Sequence, residues 1–124
     1  MLDHVTLGVS DIERSMQFYD RALRPLGIAR LYAEDERSAG YGIKPKAFFW
    51  IGIRPSSQTG AHIAFTANDR ATVDRFYAEA IAAGGKDNGG PGPRPHYHRN
   101  YYGAFVLDPD GHNIEAVCHL PEQR

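Results

Sequence analysis

The chain of 124 residues repeats itself at an offset of 58 residues, and this repeat constrains the fold more than any other feature. When His4 is aligned with His62, further identical residues fall opposite each other without a gap. These pairs are Asp11 and Asp69, Phe18 and Phe76, Tyr19 and Tyr77, Ala22 and Ala80, and Gly27 and Gly85. Chance rarely produces such a run. The sequence therefore predicts two similar halves that form the same supersecondary unit.

Each half opens with alternating apolar and polar residues, the pattern of a strand with one face in the core. The apolar face consists of Val5, Leu7 and Val9 in the first half, and of Ile63, Phe65 and Ala67 in the second. A helical pattern follows in both halves. Ser10 and Glu13 predict a capping box at the first helix, and Asn68 or Asp69 is expected to start the second.

Three shorter extended segments are expected after each helix. They cover residues 28–33, 38–43 and 47–53 in the first half, and a weak segment near Lys86, 101–107 and 113–119 in the second. Asp108-Pro109-Asp110-Gly111 is a strong tight-turn sequence, whereas residues 89–93 favour no regular structure. The prediction is one α+β domain with module one at 1–54, a linker at 55–60 and module two at 61–119.

Composition argues against several classes of protein. The net charge of −1 and the pI near 6.6 give no reason to expect nucleic acid as a partner. No apolar run approaches the roughly 20 residues that span a bilayer, and the N-terminus lacks the pattern of a secretion signal. The single cysteine cannot form an internal disulfide, which favours a reducing cytoplasm.

Three residues are candidate ligands of a metal ion. Because a helix must cover the apolar face of each sheet, His4 and His62 are expected on the opposite, concave face. The repeat gives these histidines equivalent positions, and a pseudo-twofold arrangement would bring them together. Alternation along the last strand turns Glu115 to the same face. Two imidazoles and a carboxylate form a three-ligand metal site with open positions. The alternative is that the two histidines merely pack or form hydrogen bonds.

This pattern resembles the vicinal oxygen chelate superfamily. The resemblance covers nearly the whole chain, and its most specific element is the sequence Asp-Pro-Asp-Gly-His-Asn-Ile-Glu at 108–115. It implies two βαβββ modules that form a curved mixed sheet around a central cavity holding one divalent ion, which would be Fe, Mn, Ni or Zn. It also implies a homodimer that can exchange modules between chains. The shared chemistry is chelation of neighbouring substrate oxygens and stabilisation of an oxyanion.

The chain departs from the pattern of each well-known branch. Glyoxalase I adds a glutamate ligand late in the first half, where this chain has Trp50, which cannot bind a metal. Extradiol dioxygenases have a tyrosine where this chain has Phe105. Fosfomycin-resistance enzymes hold a phosphonate with cationic residues, to which residues 94–102 offer no specific match. Bleomycin-resistance proteins bind ligand without a metal held by the protein, and the complete ligand set here argues against that branch. The resemblance thus leaves a lyase, a thiol transferase or a dioxygenase open, with a non-catalytic protein that sequesters a small molecule as the alternative.

Residues 94–102 are rich in groups that could hold an anion or transfer a proton. We expect this stretch to form a lid or wall of the pocket, with His98 and Tyr101 as candidate catalytic groups. The residues expected to line the substrate pocket are Trp50, Arg94, His96, Tyr102 and Phe105. The alternative is a surface loop whose histidines are solvated and whose aromatic residues pack on the sheet edge.

Overall fold

The computed structural model describes residues 1–54 and 60–122, so most of the predicted linker lies outside the described residues. The first module contains β1 (Val5–Val9), α1 (Ile12–Ala22), β2 (Ala29–Tyr32), β3 (Ser38–Ile43) and β4 (Lys46–Ile53). The second contains β5 (His62–Thr66), α2 (Arg70–Ala82), β6 (Lys86–Asp87), β7 (Gly92–Pro93), β8 (Tyr102–Leu107) and β9 (Asn113–Cys118). The expected α+β fold with a duplicated strand-helix-strands unit is confirmed.

Each module forms its own sheet, and the two sheets follow the same path. The strand orders are β1-β4-β3-β2 and β5-β9-β8-β6, and β7 also pairs with β8. In each sheet the first strand runs parallel to the last, with Val5 beside Phe49 and His62 beside Asn113. The other pairings are antiparallel. As a result β1 and β5 are edge strands of their sheets.

Helix α1 starts one residue later than a capping box at Ser10 would require, so the prediction of that capping box was wrong. The side chain of Asp11 caps α1 by accepting a hydrogen bond from the Arg14 amide at 3.1 Å. Asp69 caps α2 in the same way. The Ser10 hydroxyl instead donates to Asp110 of the second module at 2.5 Å. The local pattern had predicted that Ser10 caps α1, but its side chain bonds instead to a residue distant in sequence.

One core joins the two modules. The apolar faces of both sheets and of both helices contribute to it, with Phe18, Tyr19, Phe49 and Phe76 fully buried. Phe49 of β4 meets Phe65 of β5 edge to face, with ring centroids 5.3 Å apart. Neither α1 nor α2 is long and apolar enough to cross a membrane, and the described residues hold no other helix that is.

The turn before β9 fastens module two to module one. The carboxylate of Asp108 accepts a hydrogen bond from the Tyr19 hydroxyl at 2.5 Å and from two amides of its own turn. The buried His112 ring accepts from the Ala61 amide at Nδ1, so its Nε2–H donates to the Gly8 carbonyl at 2.7 Å. These bonds tie the start of the last strand to β1 and α1.

Candidate metal and ligand site

Glu115 is a buried carboxylate on the polar side of the second sheet. It is 1% exposed, and it points away from its neighbours Ile114 and Ala116, which lie in the core. One of its oxygens lies 2.8 Å from Nε2 of His62, and the other accepts a hydrogen bond from the Tyr101 hydroxyl. A buried carboxylate is costly unless polar groups surround it. Glu115 therefore lies at the centre of a polar group formed by His62 and Tyr101.

The sheet backbone leaves room for this group at Gly103. A Cβ atom there would lie 3.2 Å from the Tyr101 ring and 3.4 Å from a Glu115 oxygen. Burial, followed by the hydrogen bond to Glu115 and its negative charge, raises the pKa of Tyr101 well above its usual value. Tyr101 thus keeps its proton at neutral pH and acts as a hydrogen-bond donor to Glu115.

His4 lies just before β1 and is half exposed. Its Nδ1 is 2.7 Å from an oxygen of Asp3, which also accepts from Lys46 Nζ at 2.7 Å. The hydrogen bond from Lys46, with that from His4, lowers the pKa of Asp3. His4 also lines a cavity of about 220 Å³ whose other walls include Thr6, Ser38, Trp50 and Arg54. Arg54 was not among the predicted site residues, because it follows β4 and belongs to no motif.

Trp50 lies on the same face as His4. It is paired in register with Thr6 and stacks on Tyr32, with ring centroids 5.8 Å apart and an interplanar angle of 12°. The ring lies flat over Gly40, where a Cβ atom would come within 2.7 Å of it. The first module thus presents an aromatic surface beside His4.

His4 does not join His62 and Glu115 within one chain. Across residues 1–54 and 60–122, no three His, Cys, Asp or Glu side chains lie close enough to hold one metal ion. Both histidines nevertheless line one largely apolar groove of about 570 Å³, to which Val5 and Ile63 also contribute. A single chain therefore brings together two of the three predicted ligands.

Arg94 holds the loop that leads into β8. Its guanidinium donates to the carbonyls of Gly90 and Gly92, each at 2.9 Å, and lies 5.4 Å from the centroid of the Phe105 ring. Gly92–Pro93 forms the short strand β7, so the prediction of no regular structure at 89–93 was wrong at these two residues. These hydrogen bonds to carbonyl groups use much of the donor capacity of the Arg94 guanidinium, which was predicted to line the substrate pocket.

Tyr97 and His119 pack directly on the Tyr101 ring, and His96 and His98 pack on these two residues. His96 packs on Tyr97, and Tyr97 packs on Tyr101, with centroid separations of 4.2 and 5.1 Å. His119 contacts both Tyr101 and His98, at 5.1 and 5.8 Å. His96 and His98 are exposed. His119 was not among the predicted site residues because it lies near the end of the chain, although alternation along the strand gives it the same face as Glu115.

The two remaining predicted pocket residues face opposite ways. Phe105 is paired in register with Glu115, and its ring centroid lies 6.1 Å from that of His62. Tyr102 instead donates to Asp74 of α2 at 2.7 Å, and burial together with that bond raises the pKa of Tyr102 to about 12. Successive strand residues point to opposite faces. Tyr102 therefore does not join the group around Tyr101.

Comparison with known proteins identifies the family. The profile of the Glyoxalase/Bleomycin resistance protein/Dioxygenase superfamily matches residues 1–116. A crystal structure of a glyoxalase/bleomycin resistance protein from Albidiferax ferrireducens T118 is 34% identical, with a TM-score of 0.82, and the match covers 95% of this chain and 98% of that one.

More distant structures share the fold. A glyoxalase-related enzyme from Fulvimarina pelagi is 22% identical, with a TM-score of 0.74 over 95% of this chain and 87% of that one. The fosfomycin resistance protein FosX from Mesorhizobium loti is 23% identical, with a TM-score of 0.69 over 95% and 91%. The duplicated module, the ending at 108–115 and the profile match agree. The chain belongs to the Glyoxalase/Bleomycin resistance protein/Dioxygenase superfamily.

Proposed function

We propose that this chain is a divalent-metal-dependent enzyme that acts on a small substrate with two neighbouring oxygen donors, and that two chains share each metal site. His62 and Glu115 of one protomer would bind the ion together with His4 of a second copy. The observation that carries the proposal is the contact between His62 and the buried Glu115 on one sheet. The histidine equivalent to His62 under the repeat, His4, lies just before the matching strand β1 of the other sheet.

The donor set suits a first-row divalent metal. Neutral imidazoles bind Fe, Mn, Ni and Zn, and one carboxylate supplies an anionic ligand. Three protein ligands leave positions for two substrate oxygens, and a bound ion would supply Lewis-acid polarisation of those oxygens. Nε2 of His62 already faces Glu115 at 2.8 Å. The residues present therefore fit a metal, although they do not select one of the four.

The position of β1 and β5 at the edges of their sheets supports a metal site shared between two chains. Edge strands present unpaired backbone groups that favour pairing with another strand. The edges β1 and β5 flank the apolar groove, and Leu2 and Ile43 on its walls are 87% and 57% exposed. A two-fold dimer would set each β1 beside the β5 of the other copy. That arrangement would bury these side chains and bring His4 towards the other copy's pair of ligands.

The residues around the proposed metal site would have three roles: orienting a ligand, exchanging a proton and excluding water. Tyr101 would orient Glu115 through its hydroxyl, since its raised pKa keeps it a donor. His98 is exposed and remains the candidate for exchanging a proton with the substrate. Phe105 and Trp50 would form apolar walls on the two sides of the shared site, where exclusion of water strengthens polar interactions with the substrate.

Mixing two inactive variants tests both parts of the proposal. His4→Ala and His62→Ala should each fail to retain the metal, because two remaining ligands hold it weakly. If the two variants are unfolded together and refolded, a mixed dimer regains one complete site. The mixture should then retain roughly a quarter of the wild-type metal content if chains pair at random. Elemental analysis after dialysis measures this content.

Control measurements distinguish failure of the metal proposal from failure of the proposal that two chains share each site. His96→Ala removes an exposed imidazole that is not a proposed ligand and should retain the wild-type metal content. Wild-type protein that binds no Mn, Fe, Ni or Zn would remove the metal proposal. Metal-binding wild-type protein whose mixed variants recover nothing would instead place all three ligands on one chain.

A sequestering protein is the second candidate, favoured by the stacked pair Tyr32 and Trp50. Two rings only 12° from parallel beside a cavity offer a flat surface on which a planar ligand can stack. Such a ligand would be held without being converted. Substrate consumed beyond one equivalent per protomer favours the enzyme, whereas binding that stops at one equivalent favours sequestration.

A further inference from the structure

Asp3 makes a bridge between the candidate ligand His4 and the start of β4. One oxygen of its carboxylate lies 2.7 Å from His4 Nδ1 and 2.7 Å from Lys46 Nζ. All three side chains are more than half exposed in the single chain. Lys46 and His4 therefore contact the same carboxylate oxygen of Asp3.

The chemistry of this contact determines where the imidazole carries its proton. An ionised carboxylate only accepts hydrogen bonds, so Nδ1 of His4 must be the donor. A neutral imidazole has one N–H, which leaves Nε2 unprotonated with its lone pair available. Metal-binding histidines commonly donate their other N–H to a carboxylate in this way.

We infer that Asp3 is a positioning residue that fixes His4 in the Nδ1–H tautomer and reserves Nε2 for a ligand. The consequence for metal binding rests on the proposed function, whereas the tautomer itself does not. The repeat supports a role specific to module one, because the offset of 58 places Ala61 opposite Asp3. At His62 the carboxylate of Glu115 faces Nε2 instead, so the same reasoning places the proton of metal-free His62 on Nε2.

The tautomer is measured directly by long-range ¹H–¹⁵N NMR of metal-free protein at a pH where the imidazoles are neutral. The chain has six histidines, and a His4→Gln variant identifies the signal of His4. We expect wild-type His4 to carry its proton on Nδ1. Asp3→Leu removes the acceptor and should give a mixture of tautomers or the Nε2–H form.

Two further variants separate positioning from a general structural effect. Asp3→Asn should keep the Nδ1–H tautomer, because Lys46 favours the orientation in which the amide oxygen faces it and His4. Glu36→Leu removes another exposed carboxylate near the strand ends and should leave the His4 signal unchanged. Wild-type protein with the Nε2–H tautomer, or an unchanged tautomer in Asp3→Leu, would overturn the inference.

Metal affinity supplies the second measurement. If the proposed function holds, Asp3→Leu should weaken metal binding about 10- to 100-fold, and Asp3→Asn should restore most of the loss. If the wild-type protein binds no metal while Asp3→Leu still changes the tautomer, the inference about Asp3 stands and the metal proposal fails. Wild-type metal affinity in Asp3→Leu, despite a changed tautomer, would show that the positioning has no role in binding.

Discussion

The hydrogen bond from Tyr19 to Asp108 is expected to be a strong link between the two modules, and Tyr19→Phe removes it by deleting one atom. The Tyr19 ring is fully buried against Phe18 and Phe49, with centroid separations of 4.9 and 5.0 Å. Those contacts survive the substitution. The change therefore isolates the hydroxyl and its bond to the carboxylate, without the cavity that a smaller side chain would leave.

The structure sets the size of the effect. Asp108 is 4% exposed, and its two backbone donors both bind Oδ1, so Oδ2 loses the Tyr19 hydroxyl and water has little access to replace it. A hydrogen bond to a charged group contributes about 1.5–3 kcal/mol, and burial places this bond towards the upper end. We therefore expect Tyr19→Phe to lower the free energy of unfolding by about 2–3 kcal/mol.

Tyr41→Phe is the matched control. Tyr41 is equally buried and donates to Asp20 at 2.9 Å, but the Asp20 side chain is 33% exposed and also pairs with Arg30. Water and the guanidinium can compensate for the lost hydroxyl, so we expect a loss of about 0.5–1 kcal/mol.

Urea unfolding followed by the fluorescence of the single tryptophan gives both values. The protein concentration must be the same for all variants, because dimer formation would add to the apparent stability. The denaturant slope should stay unchanged if only the native state is affected. A loss for Tyr19→Phe no larger than that for Tyr41→Phe would refute the view that the buried turn fastens the modules.

Two other variants test packing and pH dependence. Gly40→Ala should displace Trp50 and shift its emission, because the added Cβ would lie 2.7 Å from the ring; an unchanged spectrum would contradict this close packing of Trp50 on Gly40. Tyr102→Phe should flatten the pH dependence of stability between pH 10 and about pH 12, where the pKa of Tyr102 is raised from 10.0. In that range the unfolded state releases the proton and the folded state keeps it, so stability falls as pH rises. Urea midpoints of both proteins below and above pH 10 measure the difference, and equal declines would contradict the assignment.

Local sequence patterns were sufficient to predict the strands and helices and which side chains of each face the core. The repeat and the alternation of apolar residues predicted two strand-helix-strands modules, and Glu115 lies on the face opposite Ile114 as expected. These features depend on the period of a strand or helix, which neighbouring residues carry by themselves. The same rule could have excluded Tyr102 from the pocket, since it adjoins Tyr101 on the chain.

Local sequence patterns could not predict contacts between residues that are distant in sequence. Ser10 bonds to Asp110 rather than capping its own helix, and Arg94 bonds to loop carbonyls rather than remaining open to an anion. His119 reaches Tyr101 only because the end of β9 passes beside the loop. Each of these groups had more than one possible partner, and the packing of the whole chain selected among them.

The sequence by itself determined which residue types could bind a metal and which face of its strand each one occupies, because the strand period is a local property. Only the tertiary structure decided that His62 meets Glu115 while His4 of the same chain stays apart. The separation of the two sheets depends on how α1, α2 and the turn at Asp108 pack together. That packing is a sum of many distant contacts, and no short stretch of sequence specifies it.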